Sequence, residues 1–433
     1  MLPRTICKLA SSTHKMNRVE ARRLGLLVGF AVVVLHLLWG FTLPQGSQGH
    51  RRSIRPYETP LSTDTSEVNA TSLICSSEQP YDIALCLPDS DALSVPPLVE
   101  LSCRQEGDLV SHGGQACLSF TDLRSRTYEF WSRLKGRTAF QLYPQDLPAR
   151  EVVRRVKRGL PIGVKSINNP RLAVLKVSKT VCTEEQRGKE VYRFLVIVKS
   201  ATKNFQARSR LREFIHNQTS RLPFPVGLLF SMGLPRELHE MESNEPVLQN
   251  LRTESELFDD ILLTNFMDTY DNLTLKTIIN LRFAHTICRG VSTQFVILDD
   301  DYGISLQGLL DSLTSFSRSD LLRHAFGIVN PSSTVIRSRG HKWALDRAAF
   351  PYDIFPNYMS GFCYVIGAQA IEALSIVAAF TKPLRLEDAY IGIMAAKLNM
   401  SLHTISGIFL HWPPADTTIA KVVAPIEYFL ENR

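Results

Sequence analysis

A chain of 433 residues, 44% apolar and 21% charged, is not disordered throughout and can hold one large or two ordinary domains. Its net charge of +7 comes from one end: nine of the 49 Lys and Arg and one of the 42 acids lie in residues 1–55, leaving 40 basic against 41 acidic residues beyond them. No electrostatic footprint for nucleic acid remains in the globular part, so nucleic acid is excluded as a partner.

Residues 24–43 are apolar apart from His36 and Thr42, and twenty such residues match the hydrocarbon thickness of a bilayer. Arg4, Lys8, Lys15, Arg18, Arg22 and Arg23 precede them with Glu20 as the single acid, and Arg51, Arg52 and Arg55 follow. The positive-inside rule then leaves residues 1–23 as a cytosolic tail and everything after 43 in a lumen or outside the cell. A cleaved signal peptide is the alternative. The leading polar stretch and the apolar run are both long for one, and no clear Ala-x-Ala site follows, so a membrane anchor is expected. Cys75, Cys86, Cys103, Cys117, Cys182, Cys288 and Cys363 would face an oxidising compartment, where disulfides form and at least one of seven is left over. Asn69, Asn217, Asn272 and Asn399 open Asn-x-Ser/Thr triplets and are candidate N-glycosylation sites.

Residues 44–100, rich in Ser, Thr, Pro and Gly, read as a flexible stem, which is taken to reach residue 180. Inside it Tyr128, Phe130, Trp131 and Leu134 mark a short helix, and the basic run 150–158 reads as a solvated face or a linker. From about 190 the pattern changes. Residues 194–198 and 226–230 read as buried strands with a helix over 208–216 between them; a helix over 273–288, a strand over 295–298 and a helix over 306–316 follow. This alternation predicts an α/β domain over 181–433, a mostly parallel sheet flanked by helices.

The strand 295–298 runs directly into Asp299, Asp300 and Asp301. Ligands of open α/β sheets bind at the carboxyl ends of strands, and three adjacent carboxylates there call for solvent or a hard cation. A solvated acidic turn and a metal site carrying a phosphorylated substrate both fit. Downstream lie Lys342-Trp343, a cation beside a large aromatic, and the run from Tyr358 to Gly361, where the glycine admits a close approach to a ligand and the tyrosine can stack on a ring. Glu387 and Asp388 open a helical stretch running to Leu398. They are either favourable partners of the helix dipole or a general base.

Together these segments resemble glycosyltransferase family 31, the β-1,3-galactosyl- and β-1,3-N-acetylglucosaminyltransferases of the Golgi. The resemblance runs from about Cys182 to His411. It rests on Phe194-Leu-Val-Ile-Val-Lys-Ser-Ala201, on Asn204-Phe205 with Arg208 and Arg212, on the stretch from Phe266 to Thr277, and on Glu387-Asp388-Ala389-Tyr390-Ile391-Gly392. It implies a GT-A fold that uses a UDP-sugar with Mn²⁺ or Mg²⁺ and inverts the anomeric carbon. By the resemblance Asp388 is the catalytic base, and Asp301, Asp299 and His411 hold the metal. Lys199, Ser200, Ala201, Arg208 and Asp300 bind the donor. Lys342, Trp343, Tyr358, Gly361 and Glu387 line the acceptor and sugar pocket.

Departures from the family pattern sit at Phe214-Ile215-His216 and at Met359-Ser360-Gly361-Phe362-Cys363, where a bulky Phe362 stands at a glycine position and the cysteine has moved to 363. The expectation is a Golgi type II membrane enzyme transferring galactose from UDP-galactose, in β-1,3 linkage, to a glycan acceptor of a glycoprotein or glycolipid. UDP-N-acetylglucosamine is the alternative donor, and a catalytically silent lumenal protein of the same fold that binds glycans or partners is the alternative class. A glycosidase, which also needs two carboxylates, has no other cue in this chain.

Overall fold

A computed structural model of the protein describes residues 93–94, 121–160, 162, 166–168, 170, 173–235 and 245–432. The expected cytosolic tail, the apolar segment 24–43, most of the stem, Asn69 and the cysteines before Cys182 lie outside these residues. Among the described residues no helix is long and apolar enough to cross a membrane.

A nine-stranded sheet organises the domain. Its strands in chain order are β1 (Leu93–Ser94), β2 (Ala173–Lys176), β3 (Phe194–Lys199), β4 (Val226–Leu234), β5 (Ile261–Met267), β6 (Gln294–Asp299), β7 (Ala325–Asn330), β8 (Tyr358–Gly367) and β9 (Leu402–Thr404). They lie side by side as β1-β2-β5-β4-β3-β6-β8-β7-β9. The central strands β5, β4, β3 and β6 are parallel to one another, as expected, whereas β2, β8 and β7 pair antiparallel with their inner neighbours. Within the parallel part the chain starts at β3, proceeds outward to β4 and β5, and returns to the other side of β3 with β6. That reversal is a topological switch point, where the loops leaving β3 and β6 part and open a crevice.

The helices are α1 (Tyr128–Arg133), α2 (Gly136–Leu142), α3 (Ala149–Lys157), α4 (Phe205–Thr219), α5 (Glu245–Phe258), α6 (Leu273–Thr286), α7 (Leu306–Leu313), α8 (Arg318–Arg323), α9 (Ala368–Ala378), α10 (Glu387–Leu398) and α11 (Ile426–Glu431). They cover both faces, and the central strands read as unbroken apolar runs for that reason. On β3, Leu195 and Ile197 join the core shared with α6, α9 and α10, while Phe194, Val196 and Val198 join the core shared with α4 and α7. On β6, Phe295 and Ile297 take the first side and Val296 and Leu298 the second.

Two parts of the expected stem are ordered and packed. Trp131 and Tyr143 are buried against the first core, and α3 buries Ala149 and Val152 while Arg150 and Arg154 stay exposed. The basic run 150–158 is therefore the solvated face of an amphipathic helix and not a linker. Cys182 and Cys288 form a disulfide, and Cys363 is a buried free thiol. Asn217 and Asn399 are exposed, but the Asn272 amide donates to the Met267 carbonyl at 2.9 Å.

Candidate active site

The crevice at the switch point is a cavity of about 900 Å³, lined by the loop after β3 (Lys199, Ser200, Ala201, Asn204), by the acidic turn after β6 (Asp299, Asp300, Asp301) and by Asp268, Tyr270 and Lys276. The β3–β6 register sets its floor, because Lys199 and Asp299 are direct partners across the two strands. The strand-to-acid transition expected from the sequence is thus where it was placed.

Lys199 is the joint of the site. Its ammonium, almost fully buried, donates to the Gly361 carbonyl at 2.9 Å and to Glu387 Oε1 at 3.1 Å, and pairs with Asp299 Oδ1 at 3.0 Å. Three donors meet three acceptors, so the group is satisfied. Burial alone would lower its pKa, but Asp299 and Glu387 outweigh that and raise it well above the ordinary lysine value. One side chain thereby connects the acidic turn with the carboxylate pair on α10. Gly361 makes the approach possible: a Cβ there would stand 2.7 Å from Glu387 Oε1.

Asp388 is half-buried in the first turn of α10 and accepts from the Ala389 backbone N–H at 2.7 Å. Burial, and then the neighbouring Glu387, push its carboxyl up to about 7. Such a group takes a proton readily near neutral pH, the property a general base needs. Tyr358 and Tyr364, both on β8, lie within its electrostatic reach.

The acidic turn is divided in its commitments. Asp300 accepts from Ser200 Oγ at 2.6 Å and from Asn204 Nδ2 at 2.9 Å, and Asp299 is held by Lys199. Asp301 forms no ion pair with a described Lys, Arg or His, and burial followed by the charge of Asp299 holds its carboxyl above the usual range. An uncompensated carboxylate of this kind fits a hard divalent cation. Among the described residues, however, no three His, Cys, Asp or Glu side chains converge as a ligand group. A cation here would take Asp301 and complete its shell with oxygens of a bound substrate. The chain passes close by at Leu410, whose carbonyl accepts from Tyr302 at 2.8 Å, but the next residue, His411, has an exposed side chain that belongs to no such group.

Arg208 does not line the cavity. It is completely buried, with its N–H groups given to Glu254 at 2.9 and 2.6 Å, to Ser200 Oγ and to the Ala201 and Thr202 carbonyls. It shapes the loop after β3 from behind. Arg212 also binds Glu254, at 2.7 Å, and holds Asp260 through two bonds. Sequence reasoning missed these acids, 46 and 48 residues from the arginines they hold. It also missed Lys276, which donates to the Ser200 carbonyl at 2.6 Å and pairs with Asp268 at 2.8 Å. Both lie inside the stretch 266–277, where a Lys eight residues after an Asp was the available signal.

Trp343 is half exposed, and its Nε1 donates to the Tyr270 hydroxyl at 3.1 Å, while Lys342 Nζ lies 4.5 Å from the Tyr270 ring centre. The Lys342-Trp343 pair therefore stands at the rim of the cavity through Tyr270. Phe362 is buried in the second core and stacks on Tyr302 at 4.4 Å.

The family model for galactosyltransferases matches residues 206–406, which include the acidic turn, Gly361 and Asp388. Over that span the chain is similar to the galactosyltransferases, as its resemblance to glycosyltransferase family 31 implies. Beta-1,3-galactosyltransferase 1 of Homo sapiens is 32% identical over 225 residues, 51% of this chain and 65% of that protein. Two lactosylceramide 1,3-N-acetyl-beta-D-glucosaminyltransferases, from Danio rerio and Homo sapiens, are 29% and 27% identical, each over 48% of this chain and 54% of its own length. The alignments thus span about half to two thirds of the relatives.

Proposed function

We propose that the chain is a hexosyltransferase that moves galactose from UDP-galactose to a hydroxyl of a glycan acceptor, on a glycoprotein or glycolipid, in β-1,3 linkage with inversion. The observation that carries this reading is the Asp388 carboxyl, raised toward neutrality and joined through Glu387 and Lys199 to the acidic turn at the switch point. The cavity volume suits a nucleotide sugar.

In this reading the acceptor hydroxyl gives its proton to Asp388 while its oxygen attacks the anomeric carbon. The bond from that carbon to the diphosphate oxygen breaks, and UDP leaves with the bonding pair. One displacement turns an α-linked donor into a β-linked product without a covalent enzyme intermediate. Lys199 pairs with Glu387 and Asp299, and Asp388, which has no such ion pair among the described residues, is the carboxyl that burial raises to about 7. Mn²⁺ or Mg²⁺, held by Asp301 together with diphosphate oxygens, would supply charge that offsets the departing UDP.

Galactose is the first donor to test because the galactosyltransferase relative is the more similar, and the two N-acetylglucosaminyltransferase relatives make UDP-N-acetylglucosamine the second. A Golgi membrane location with a lumenal catalytic domain draws support from the apolar segment 24–43 and from the Cys182–Cys288 disulfide, a bond of oxidising compartments.

The test is incubation of the full chain with Mn²⁺ and either UDP-sugar over a panel of glycan acceptors, wild type beside Asp388→Asn. Product from wild type alone supports the reading and names the donor. Equal product from both removes Asp388 from the mechanism, and UDP binding without any transfer points to a silent glycan-binding protein.

A further inference from the structure

The galactosyltransferase match begins at residue 206, yet the helices upstream of it reach into the site's surroundings. Helix α2 is held by side chains from two separate places. The Tyr352 hydroxyl donates to the Ala139 carbonyl at 3.0 Å, and Lys397 Nζ donates to the Gln141 carbonyl at 3.0 Å. Gln141 is in the last turn, where carbonyls have no partner inside the helix, so the second bond is a docking contact. Tyr143, just past the helix end, accepts from Lys382 Nζ at 3.1 Å and donates to the Ala349 carbonyl at 3.3 Å, and Lys382 also reaches the Ala348 carbonyl at 2.9 Å.

A file of aromatic rings continues from these contacts. Phe140 lies parallel to Phe350 at 6.4 Å and edge-on to Tyr352 at 5.3 Å. Phe350 stacks on Phe355 at 5.1 Å, and Phe355 meets Tyr358 edge-on at 5.9 Å. Tyr358 is within electrostatic reach of Asp388, and Lys397 stands on α10, the helix whose first turn carries Glu387 and Asp388.

Helix α2 therefore grips both parts that face an acceptor. One is α10. The other is the long connection 331–357, which carries Lys342 and Trp343 and has no helix or strand beyond a bridge between Thr334 and Ile354. Such a connection inside a compact domain needs support from elsewhere. Arg337 supplies part of it from within, donating to the carbonyls of Leu345, Asp346, Phe350 and Tyr352. Arg385 and Lys382 add bonds to the Lys342, Ala344 and Ala348 carbonyls, and residues 128–157 supply a further part.

We propose that Phe140 and Tyr143 are positioning residues for the acceptor: they clamp the connection 331–357 against α10, and so fix the separation between the Trp343 and Tyr358 rings and the Asp388 carboxyl. The inference rests on the transferase reading above. It assigns the upstream helices to acceptor handling and leaves the nucleotide crevice, built on β3 and β6, independent of them.

The experiment uses the full chain and compares Phe140→Ala and Tyr143→Phe with wild type, measuring acceptor KM and kcat alongside the Kd for UDP. The expected result is a loss of roughly 10- to 100-fold in kcat/KM for the acceptor in Phe140→Ala, mostly in KM, with UDP binding unchanged. Tyr143→Phe keeps the ring and removes only the hydroxyl between Lys382 and Ala349, so it should fold and shift acceptor KM in the same direction by less. Unchanged acceptor constants in both variants would overturn the proposal, as would equal losses in UDP and acceptor binding, which mark a general structural role. Wild type that binds UDP but turns over no acceptor would instead fail the transferase reading itself.

Discussion

The two sides of the site, the crevice and the carboxylate pair that Lys199 joins to it, are held by different means. On the β3 and β6 side each functional group sits at, or within a few residues of, the end of a central strand: Lys199 closes β3, and Asp299 closes β6 with Asp300 and Asp301 next in line. Their spacing follows from a parallel register that buried apolar residues enforce on both faces. On the other side the groups come from an antiparallel strand, a helix start and a long connection, and they are kept together by single side chains such as Arg337, Lys382 and Lys397. The first kind of geometry survives substitutions around it. The second depends on individual bonds, and Lys199 is where the two meet.

The sharpest break of this comparison removes the carboxyl proposed as the base and nothing else. Asp388→Asn keeps the size of the side chain, so UDP binding should persist while turnover falls by about 10²- to 10⁴-fold, the usual worth of a positioned base. Isothermal calorimetry with UDP and a product assay separate the two. A variant that lost both would show that the sides are not independent.

Lys199→Met attacks the joint. It leaves Glu387 buried and Asp299 partly exposed without their cation, and the Gly361 carbonyl without its donor. Removing one partner of a buried ion pair costs about 3 to 5 kcal/mol, so denaturant unfolding should shift its midpoint down with little change in slope. A shift below about 1 kcal/mol would mean that water reaches this cluster freely and that the two sides are only loosely joined.

The same contrast explains what was legible in the sequence. The strands β3 and β6 stood out because burial on both faces forces unbroken apolar runs, and the acids after β6 stood out because charge cannot follow such a run into a core. The strand β8 was not read as a strand: Ser360 and Gly361 interrupt its pattern, and pairing with β6 and β7 makes it one. Helix α3 was hidden by its arginines, which mask the Ala149 and Val152 face. Arg208 was read toward the donor because its partner, Glu254, lies far along the chain on another element. Local pattern reports periodicity and charge, whereas the partner of a buried charge is a tertiary fact.

Gly361→Ala tests the closeness of the two sides with one added methyl. Its Cβ would stand 2.7 Å from Glu387 Oε1 and 3.5 Å from Asp388 Cβ, so Glu387 must shift away from Lys199. Overpacking of this kind costs about 1 to 3 kcal/mol. Turnover should drop more than stability, because the displaced group adjoins the base while the fold has other supports. The readout is kcat beside the unfolding midpoint, and an unchanged kcat would place the reacting geometry elsewhere than Asp388.

The smallest effect expected is a pH dependence, and its sign is fixed by the direction in which the Asp388 carboxyl is moved. With burial raising it to about 7, the proton-accepting form is lost below that pH, so kcat/KM for the acceptor should fall about tenfold per unit there and change little above pH 8. The folded chain also holds this proton more tightly than the unfolded chain does. Between the ordinary aspartate value and about 7 the native state binds more protons than the unfolded state, so this group makes stability decline as pH rises through that window and adds nothing further above it. Asp388→Asn should flatten that component of the stability profile. If wild type and variant showed the same slope between pH 4 and pH 7, Asp388 would titrate as an ordinary exposed carboxylate, and the acceptor side would lack the desolvated base on which its difference from the nucleotide side depends.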